Sequence, residues 1–158
     1  MLAQKNLMDR IEKQQSKFKL LLISDDESDV TRTSKALEQF ANNRWHLDNT
    51  NLLSDGINRL RQEDTTVVLL DLYLPDSRGS KTFKTLHAAE PTVPIVVLTN
   101  LEDQVIGWHT TRCGAADHLL KGHLDEFRLP QVLDGVLKLH HHEHANYPHW
   151  QRGYGSSY

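Results

Sequence analysis

Three uninterrupted runs of branched aliphatic residues limit the folds open to this chain more than any other feature of its sequence. The runs are residues 20–23, 67–70 and 95–98, and each is four Val, Ile or Leu side chains long. Such runs without polar alternation are typical of parallel strands that helices cover on both faces. Two weaker runs, beginning at Trp45 and at Ala116, complete a predicted set of five strands, with the one at Trp45 more polar and at the sheet edge.

Apolar residues recur at helical spacing after each of these strands. The predicted helices carry Val30, Leu37 and Phe40; Leu53, Ile57 and Leu60; Phe83, Leu86 and Ala89; residues 102–113; and Leu129, Val132, Leu133, Val136 and Leu137. Ser28 is a candidate cap for the first helix, and Gly107 predicts a loose fourth helix. Right-handed crossovers then give an α/β fold, a doubly wound five-stranded parallel sheet of order 2-1-3-4-5.

Polar side chains gather where the predicted strands end. Asp25 and Asp26 follow the first strand, Asp71 the third, Thr99 the fourth and Lys121 the fifth. In open sheets of this kind, ligands bind outside the carboxyl ends of the strands. Three carboxylates brought together there repel one another, which predicts a bound Mg²⁺.

The same residues predict phosphoryl chemistry at this edge. One carboxylate acts as the nucleophile, while the metal and a lysine neutralise the transferring oxygens. The hydroxyl of Thr99 then donates a hydrogen bond to the product.

The length and net charge of the chain limit the number of domains and the functions that it can have. The 158 residues fit one domain, predicted at 18–140, with a polar extension at 1–17 and a His- and Tyr-rich tail at 141–158. A net charge of −3 gives no electrostatic case for nucleic-acid binding. The single cysteine, Cys113, and the absence of a signal peptide or a membrane span predict a cytoplasmic protein.

Five short motifs in order resemble the receiver domain of response regulators, a flavodoxin-like fold. They are Ser24-Asp25-Asp26-Glu27, Asp71-Leu72-Tyr73-Leu74-Pro75, Gly79, Thr99 and residues 114–121, which end in Lys121. The resemblance implies that Asp71 is the phosphoacceptor and that Asp25, Asp26, Asp71 and the carbonyl of Tyr73 bind Mg²⁺. It also implies that Thr99 is the switch hydroxyl and Lys121 the phosphate-binding lysine.

By that resemblance the chain is a stand-alone receiver and not an enzyme. It takes a phosphoryl group from a phosphohistidine on a histidine kinase or histidine phosphotransfer protein, and it signals to an unknown downstream protein by contact. Family members often form homodimers through the fourth helix, fifth strand and fifth helix. The alternative is a pseudo-receiver, an interaction module that is never phosphorylated; a metal-dependent phosphatase ranks last because no second acid or base is evident.

Some residues depart from the family pattern. His118 stands where an aromatic switch residue is common, and it is interpreted either as a replacement for that residue or as a plain surface imidazole. Asn100, in place of a small residue, is predicted to cap the fourth helix together with Asp103. The histidines of residues 140–144 are metal-binding residue types in a predicted tail, for which disorder is the default expectation.

Overall fold

The five predicted strands form one parallel sheet. The computed structural model describes residues 4–8, 18–40 and 44–145, with only the backbone at residue 40 and at residues 141–145. The strands are β1 (Phe18–Ile23), β2 (Trp45–Thr50), β3 (Val67–Asp71), β4 (Ile95–Thr99) and β5 (Asp117–Leu120). Their order is β2-β1-β3-β4-β5, and every neighbouring pair is parallel, which confirms the predicted doubly wound topology.

Helices cover both faces of this sheet because its strands are apolar on both sides. The helices are α1 (Glu27–Phe40), α2 (Leu53–Gln62), α3 (Ser80–Ala89), α4 (Gln104–Arg112) and α5 (Arg128–Ala145). Leu20 and Leu22 point into a core with α1 and α5, whereas Leu21 and Ile23 point into a second core with α2, α3 and α4. Alternate residues of one strand therefore serve opposite faces, as the pleat requires.

The first helix is capped differently from the prediction. Asp26, not Ser28, precedes its first residue, and Asp26 Oδ1 accepts hydrogen bonds from the Ser28 backbone N–H (2.9 Å) and hydroxyl (2.7 Å). The backbone N–H groups of the first turn lack partners within the helix, so a carboxylate there satisfies one of them. Ser28 is thus the donor in the cap and not the acceptor.

The buried face of α1 contains the predicted apolar residues and extends to polar ones. Leu37 is buried and the half-buried Val30 packs against the same core, as predicted, while the side chain of Phe40 lies outside the described residues. Asp29, Thr33 and Ala36 are also buried, so a charged residue takes a core position that an apolar residue would normally fill.

The last helix extends beyond the boundary predicted at residue 140. It runs to Ala145, with Pro130 in its first turn, where a missing N–H removes no helical hydrogen bond. Asp125 precedes it and accepts hydrogen bonds from the N–H groups of Phe127 (2.9 Å) and Arg128 (2.8 Å). Residues 4–8 are helical within the predicted N-terminal extension. The rest of that extension and the remainder of the predicted tail lie outside the described residues.

A short hairpin follows β3 and ties it to a neighbouring helix. Its two strands are Tyr73–Leu74 and Ser77–Arg78. The carboxylate of Asp76, at its turn, accepts hydrogen bonds from the N–H groups of Leu53 (2.9 Å) and Ser54 (3.0 Å). Asp76 therefore caps α2 from outside that helix.

None of the helices in the described part of the chain has the length and apolar composition of a membrane span.

Candidate functional site

The site lies at the carboxyl end of the central strand β3. Asp71 is the last residue of that strand, with 2% of its surface exposed. Its Oδ1 accepts a hydrogen bond of 2.9 Å from the Tyr73 N–H, and its Oδ2 accepts one of 2.7 Å from the Lys121 ammonium. Each carboxylate oxygen therefore has a donor, which a buried carboxylate requires.

The sheet register explains why residues so distant in sequence meet here. Asp71 lies opposite Leu98, so the next residue of β4, Thr99, lies one step beyond Asp71. Thr99 lies opposite Leu120, so Lys121 follows one step beyond Thr99. The ends of three adjacent parallel strands thus present a carboxylate, a hydroxyl and an ammonium at one edge.

Lys121 is the centre of the charged cluster. Its Nζ lies 2.7 Å from Asp71 Oδ2, 2.9 Å from Asp29 Oδ2 and 3.9 Å from Asp26 Oδ2. Its carbonyl accepts a hydrogen bond of 3.1 Å from Arg32, so α1 also holds the backbone of this lysine. The ammonium supplies the positive charge that these carboxylates share.

Burial and pairing act in opposite directions on these groups. Burial raises the pKa of Asp71 above its usual value, and the hydrogen bond from Lys121 opposes that rise only in part. Burial would lower the pKa of Lys121, but hydrogen bonds to Asp71 and Asp29 outweigh it and raise that pKa. The lysine is therefore held as a cation beside a carboxylate whose charge is costly to bury.

Thr99 carries a polar atom that the fold leaves unsatisfied. Its side chain is buried, and its Oγ1 has no hydrogen-bond partner among the described residues. A buried hydroxyl without a partner costs about 1–3 kcal/mol. An oxygen-rich group attached to the neighbouring Asp71 would supply the missing acceptor.

The predicted acidic pair divides between two positions. Asp26 caps α1 and lies at the edge of the lysine cluster. Asp25 is exposed and lines an open polar cavity with Asn49 and Asp55. Within the described ranges, no three acidic, His or Cys side chains are placed together as metal ligands. The structure thus brings Asp26 and Asp71 to one ammonium, whereas Asp25 lines that cavity.

Two residues of the cluster were absent from the sequence-based set. Asp29 lies on α1 with 1% of its surface exposed, and its Oδ2 accepts a hydrogen bond of 2.9 Å from the hydroxyl of Ser24. That hydroxyl also lies 3.4 Å from Asp71 Oδ2. The helical spacing of Asp29 from the buried Thr33 and Ala36 is the sequence signal that could have placed it in the core.

The rim of the site is formed by the segments after β3 and β4. The hydroxyl of Tyr73 donates a hydrogen bond of 2.9 Å to Asp103 Oδ1, and Leu101 is exposed. The predicted cap by Asn100 and Asp103 side chains is wrong, since neither makes a side-chain capping bond. Only the Asn100 carbonyl takes part, accepting from the Asp103 N–H at 3.0 Å.

His118 packs against α4. A Cβ built on Gly107 of α4 would lie 3.1 Å from Cδ2 of His118 and 3.0 Å from Cγ2 of Thr99. The Nδ1 atom of His118 lies 3.2 Å from the Thr111 hydroxyl. The imidazole is therefore half-buried beneath α4, and the same glycine lets that helix approach Thr99.

The chain also matches a known protein family. The family model of the response regulator receiver domain matches residues 20–134. Protein PilH of Pseudomonas aeruginosa is 26% identical over 121 residues, which are 75% of this chain and 97% of that relative. The cell cycle response regulator CtrA of Brucella ovis is 32% identical over 113 residues, which are 69% of this chain and 46% of that relative.

Solved structures give the same fold. A CheY-like response regulator receiver domain protein from Methanospirillum hungatei superimposes with a TM-score of 0.65 at 20% identity. The superposition covers 81% of this chain and 99% of that protein. This likeness supports the fold.

Proposed function

The chain belongs to the response regulator receiver family of two-component signalling, and from that premise we propose that Asp71 accepts a phosphoryl group from a phosphohistidine. The donor is a histidine kinase or a histidine phosphotransfer protein. The observation that carries the proposal is the 2.7 Å contact between Asp71 and Lys121 beside the unpartnered hydroxyl of Thr99. It supports the proposal because a carboxylate, an ammonium and an unpartnered hydroxyl lie at adjacent strand ends.

The transfer is a displacement at phosphorus. A carboxylate oxygen of Asp71 forms a new P–O bond as the P–N bond to the donor imidazole breaks, and the imidazole keeps the bonding electrons and takes a proton. Lys121 balances charge on the transferring oxygens because its ammonium already lies against Asp71. Asp71 becomes an acyl phosphate, and Thr99 donates to one of its oxygens.

Receiver domains generally bind Mg²⁺ at the site of phosphorylation. In this chain the carboxylates of Asp71 and of Asp25 or Asp26, with the carbonyl of Tyr73, would hold the ion; they are hard oxygen donors of the type that Mg²⁺ prefers. Bound there, the ion would neutralise charge on the phosphoryl oxygens.

The signal leaves by contact with another protein. A hydrogen bond from Thr99 to the phosphoryl group would pull Thr99 toward Asp71. Thr99 lies against Gly107 of α4. That helix carries Val105 and Trp108 exposed on its surface. A shift of Thr99 therefore repositions α4 and changes the surface that a downstream protein meets.

One observation favours a second function, that of a pseudo-receiver. Asp25 is exposed, and within the described residues no group of three acidic, His or Cys side chains is placed to hold a metal ion. A module with this geometry would keep the fold and bind partners without phosphorylation.

Intact mass separates the two functions. Incubation with acetyl phosphate and Mg²⁺ should add one phosphate to the unmodified protein and none to Asp71→Asn. The matched control is Asp48→Asn, since Asp48 ends no central strand and pairs with Arg59 at 3.7 Å in a different part of the molecule. Equal modification of the unmodified protein and Asp71→Asn would refute Asp71 as acceptor, and no modification of either would favour the pseudo-receiver.

A further inference from the structure

Asp29 is a buried acid that the proposed transfer does not use. Its carboxylate sits on α1, inside the fold, with 1% of its surface exposed. A buried carboxylate is tolerated only with charged or hydrogen-bonding partners, and Asp29 has two, the Lys121 ammonium and the Ser24 hydroxyl. Both partners also contact the phosphoacceptor.

Four atoms form a closed ring. Lys121 Nζ lies 2.7 Å from Asp71 Oδ2 and 2.9 Å from Asp29 Oδ2. Ser24 Oγ lies 3.4 Å from Asp71 Oδ2 and 2.9 Å from Asp29 Oδ2. The carboxylates of Asp29 and Asp71 therefore face each other across a shared ammonium and a shared hydroxyl.

The charges in this ring do not balance. Two carboxylates share one ammonium, so the buried pair of anions carries one more negative charge than its cation. Conversion of Asp71 to an acyl phosphate adds further negative charge at the same place. Lys121 must then neutralise the phosphoryl group, although the negative charge of Asp29 already offsets part of the attraction of its ammonium for anions.

We propose that Asp29 is a positioning residue that holds Lys121 and, by sharing its charge, restrains phosphorylation of Asp71. The proposal rests on the proposed function of Asp71. Helix α1 contacts Lys121 at both ends. Asp29 pairs with its ammonium, and Arg32 donates a hydrogen bond to its backbone carbonyl. The resting position of Lys121 is thus fixed by α1 as well as by β5, and its charge is divided between Asp29 and Asp71.

The first arm of the test needs no phosphodonor. Urea unfolding of the unmodified protein, Asp29→Asn, Lys121→Gln and the double variant forms a double-mutant cycle. Without Lys121, Asp29 is a buried carboxylate with no cation, so Asp29→Asn should raise the unfolding midpoint more in the Lys121→Gln background than in the unmodified one. Equal shifts in both backgrounds would refute the coupling of Asp29 to Lys121.

The second arm measures phosphorylation by acetyl phosphate and Mg²⁺ as intact mass against time. Asp29→Asn keeps the side-chain shape and the acceptor for Ser24 but removes the charge, so its rate should rise about tenfold. Structural damage alone would lower the rate, so the direction of the change separates the two roles. The matched control is Glu38→Gln, which makes the same charge change on the exposed face of α1 and should leave the rate unchanged.

The outcomes distinguish the two proposals. If the unmodified protein takes phosphate on Asp71 and Asp29→Asn takes it no faster, the role of Asp29 is refuted while the proposed function stands. If neither protein takes phosphate, the proposed function fails and the restraint by Asp29 fails with it. If Asp29→Asn takes phosphate faster and Glu38→Gln does not, both are supported.

Discussion

The hydroxyl of Tyr73 donates a hydrogen bond of 2.9 Å to Oδ1 of Asp103, thirty residues further along the chain. This bond joins the segment that follows β3 to the segment that leads into α4. It also raises the pKa of the Tyr73 phenol, since Asp103 accepts from the protonated form. A tyrosine held in this way is not free to orient a water molecule beside Asp71.

The side chains at the rim of the site, Tyr73 and Leu101, predict that phosphorylated Asp71 loses its phosphate slowly. Leu101, 77% exposed, offers no hydrogen-bonding group, and the Tyr73 hydroxyl is bound to Asp103. Replacing Tyr73 with Asn and Leu101 with Glu should supply groups that orient an attacking water and hasten dephosphorylation about tenfold, roughly 1.4 kcal/mol of barrier. The decay of phosphorylated protein, followed by intact mass, measures this.

The control for that experiment is Tyr73→Phe, which removes only the hydroxyl. It should leave the decay slow because it adds no water-orienting group. If the unmodified protein already loses phosphate as fast as the Asn and Glu double variant, the explanation from these two side chains is wrong.

Mg²⁺ should stabilise the protein through the acidic pair. Ligand that binds only the folded state raises the melting temperature, so thermal unfolding with increasing Mg²⁺ reports the site. Replacing both Asp25 and Asp26 with Asn should abolish that rise. An unchanged Mg²⁺ dependence in the double variant would place the metal elsewhere.

The same double variant has a second expected result, in the absence of metal. Hydrogen bonds from Ser28 hold the pKa of Asp26 below its usual value, which means that the ionised form stabilises the fold. Loss of this charge should therefore give no gain in metal-free stability, although simple repulsion among carboxylates would predict one.

Acid should weaken the helix caps made by Asp76 and Asp125. For Asp76, backbone hydrogen bonds from Leu53 and Ser54 outweigh desolvation and lower its pKa; for Asp125 the hydrogen bond from the Arg128 N–H is the largest cause. A lowered folded pKa means stability that is present above the unfolded value near 3.8 and lost as pH falls through the folded pKa. Urea unfolding between about pH 5 and pH 2 should show this loss.

Asparagine variants provide the control for the caps. Asn does not titrate in this range, and at Asp125 a single oxygen, Oδ1, accepts both backbone hydrogen bonds, so Asn can accept them too. At Asp76 each oxygen accepts one bond, so Asn, which has one oxygen, keeps only one of the two. Replacing both residues with Asn should make the acid dependence shallower, with little loss of stability at neutral pH for Asp125→Asn and a larger loss for Asp76→Asn. An unaltered acid slope would show that other carboxylates dominate it.

Replacing each of three helical glycines with alanine should change the stability of the fold by different amounts, and at one of them in the opposite direction. A Cβ on Gly135 meets nothing within 4 Å, so Gly135→Ala should stabilise the fold by about 1 kcal/mol through helix propensity. A Cβ on Gly56 would collide with Cδ1 of Ile23, so Gly56→Ala should destabilise the fold by about 1–3 kcal/mol. For Gly107→Ala the gain should be smaller than at Gly135 because Thr99 and His118 must move. Urea unfolding ranks the three, and a Gly56→Ala variant as stable as Gly135→Ala would contradict the packing.

The sheet was predictable because continuous apolar runs identify buried parallel strands directly. The chain order of those runs, with right-handed crossovers, then leaves few topologies. The same order brings Asp71, Thr99 and Lys121 together, since strand ends in a parallel sheet share an edge. These features depend on periodicity and direction, which a sequence displays.

The apolar face of the first helix was predictable, but the burial of Asp29 was not. An aspartate counts as a surface residue in a hydrophobic pattern, so the pattern could not place it in the core. Its burial depends on Lys121, which is 92 residues away and approaches only in the folded chain.

Asp76 ties the chain after Asp71 more firmly to α2 than Tyr73 ties it to the segment before α4. Its carboxylate anchors the hairpin after β3 to α2 with two backbone hydrogen bonds, whereas toward α4 the hydroxyl of Tyr73 makes a single exposed bond. Strain introduced at Asp71 meets the stiffer support on the α2 side. We therefore expect a change at Asp71 to displace α4 while α2 stays in place.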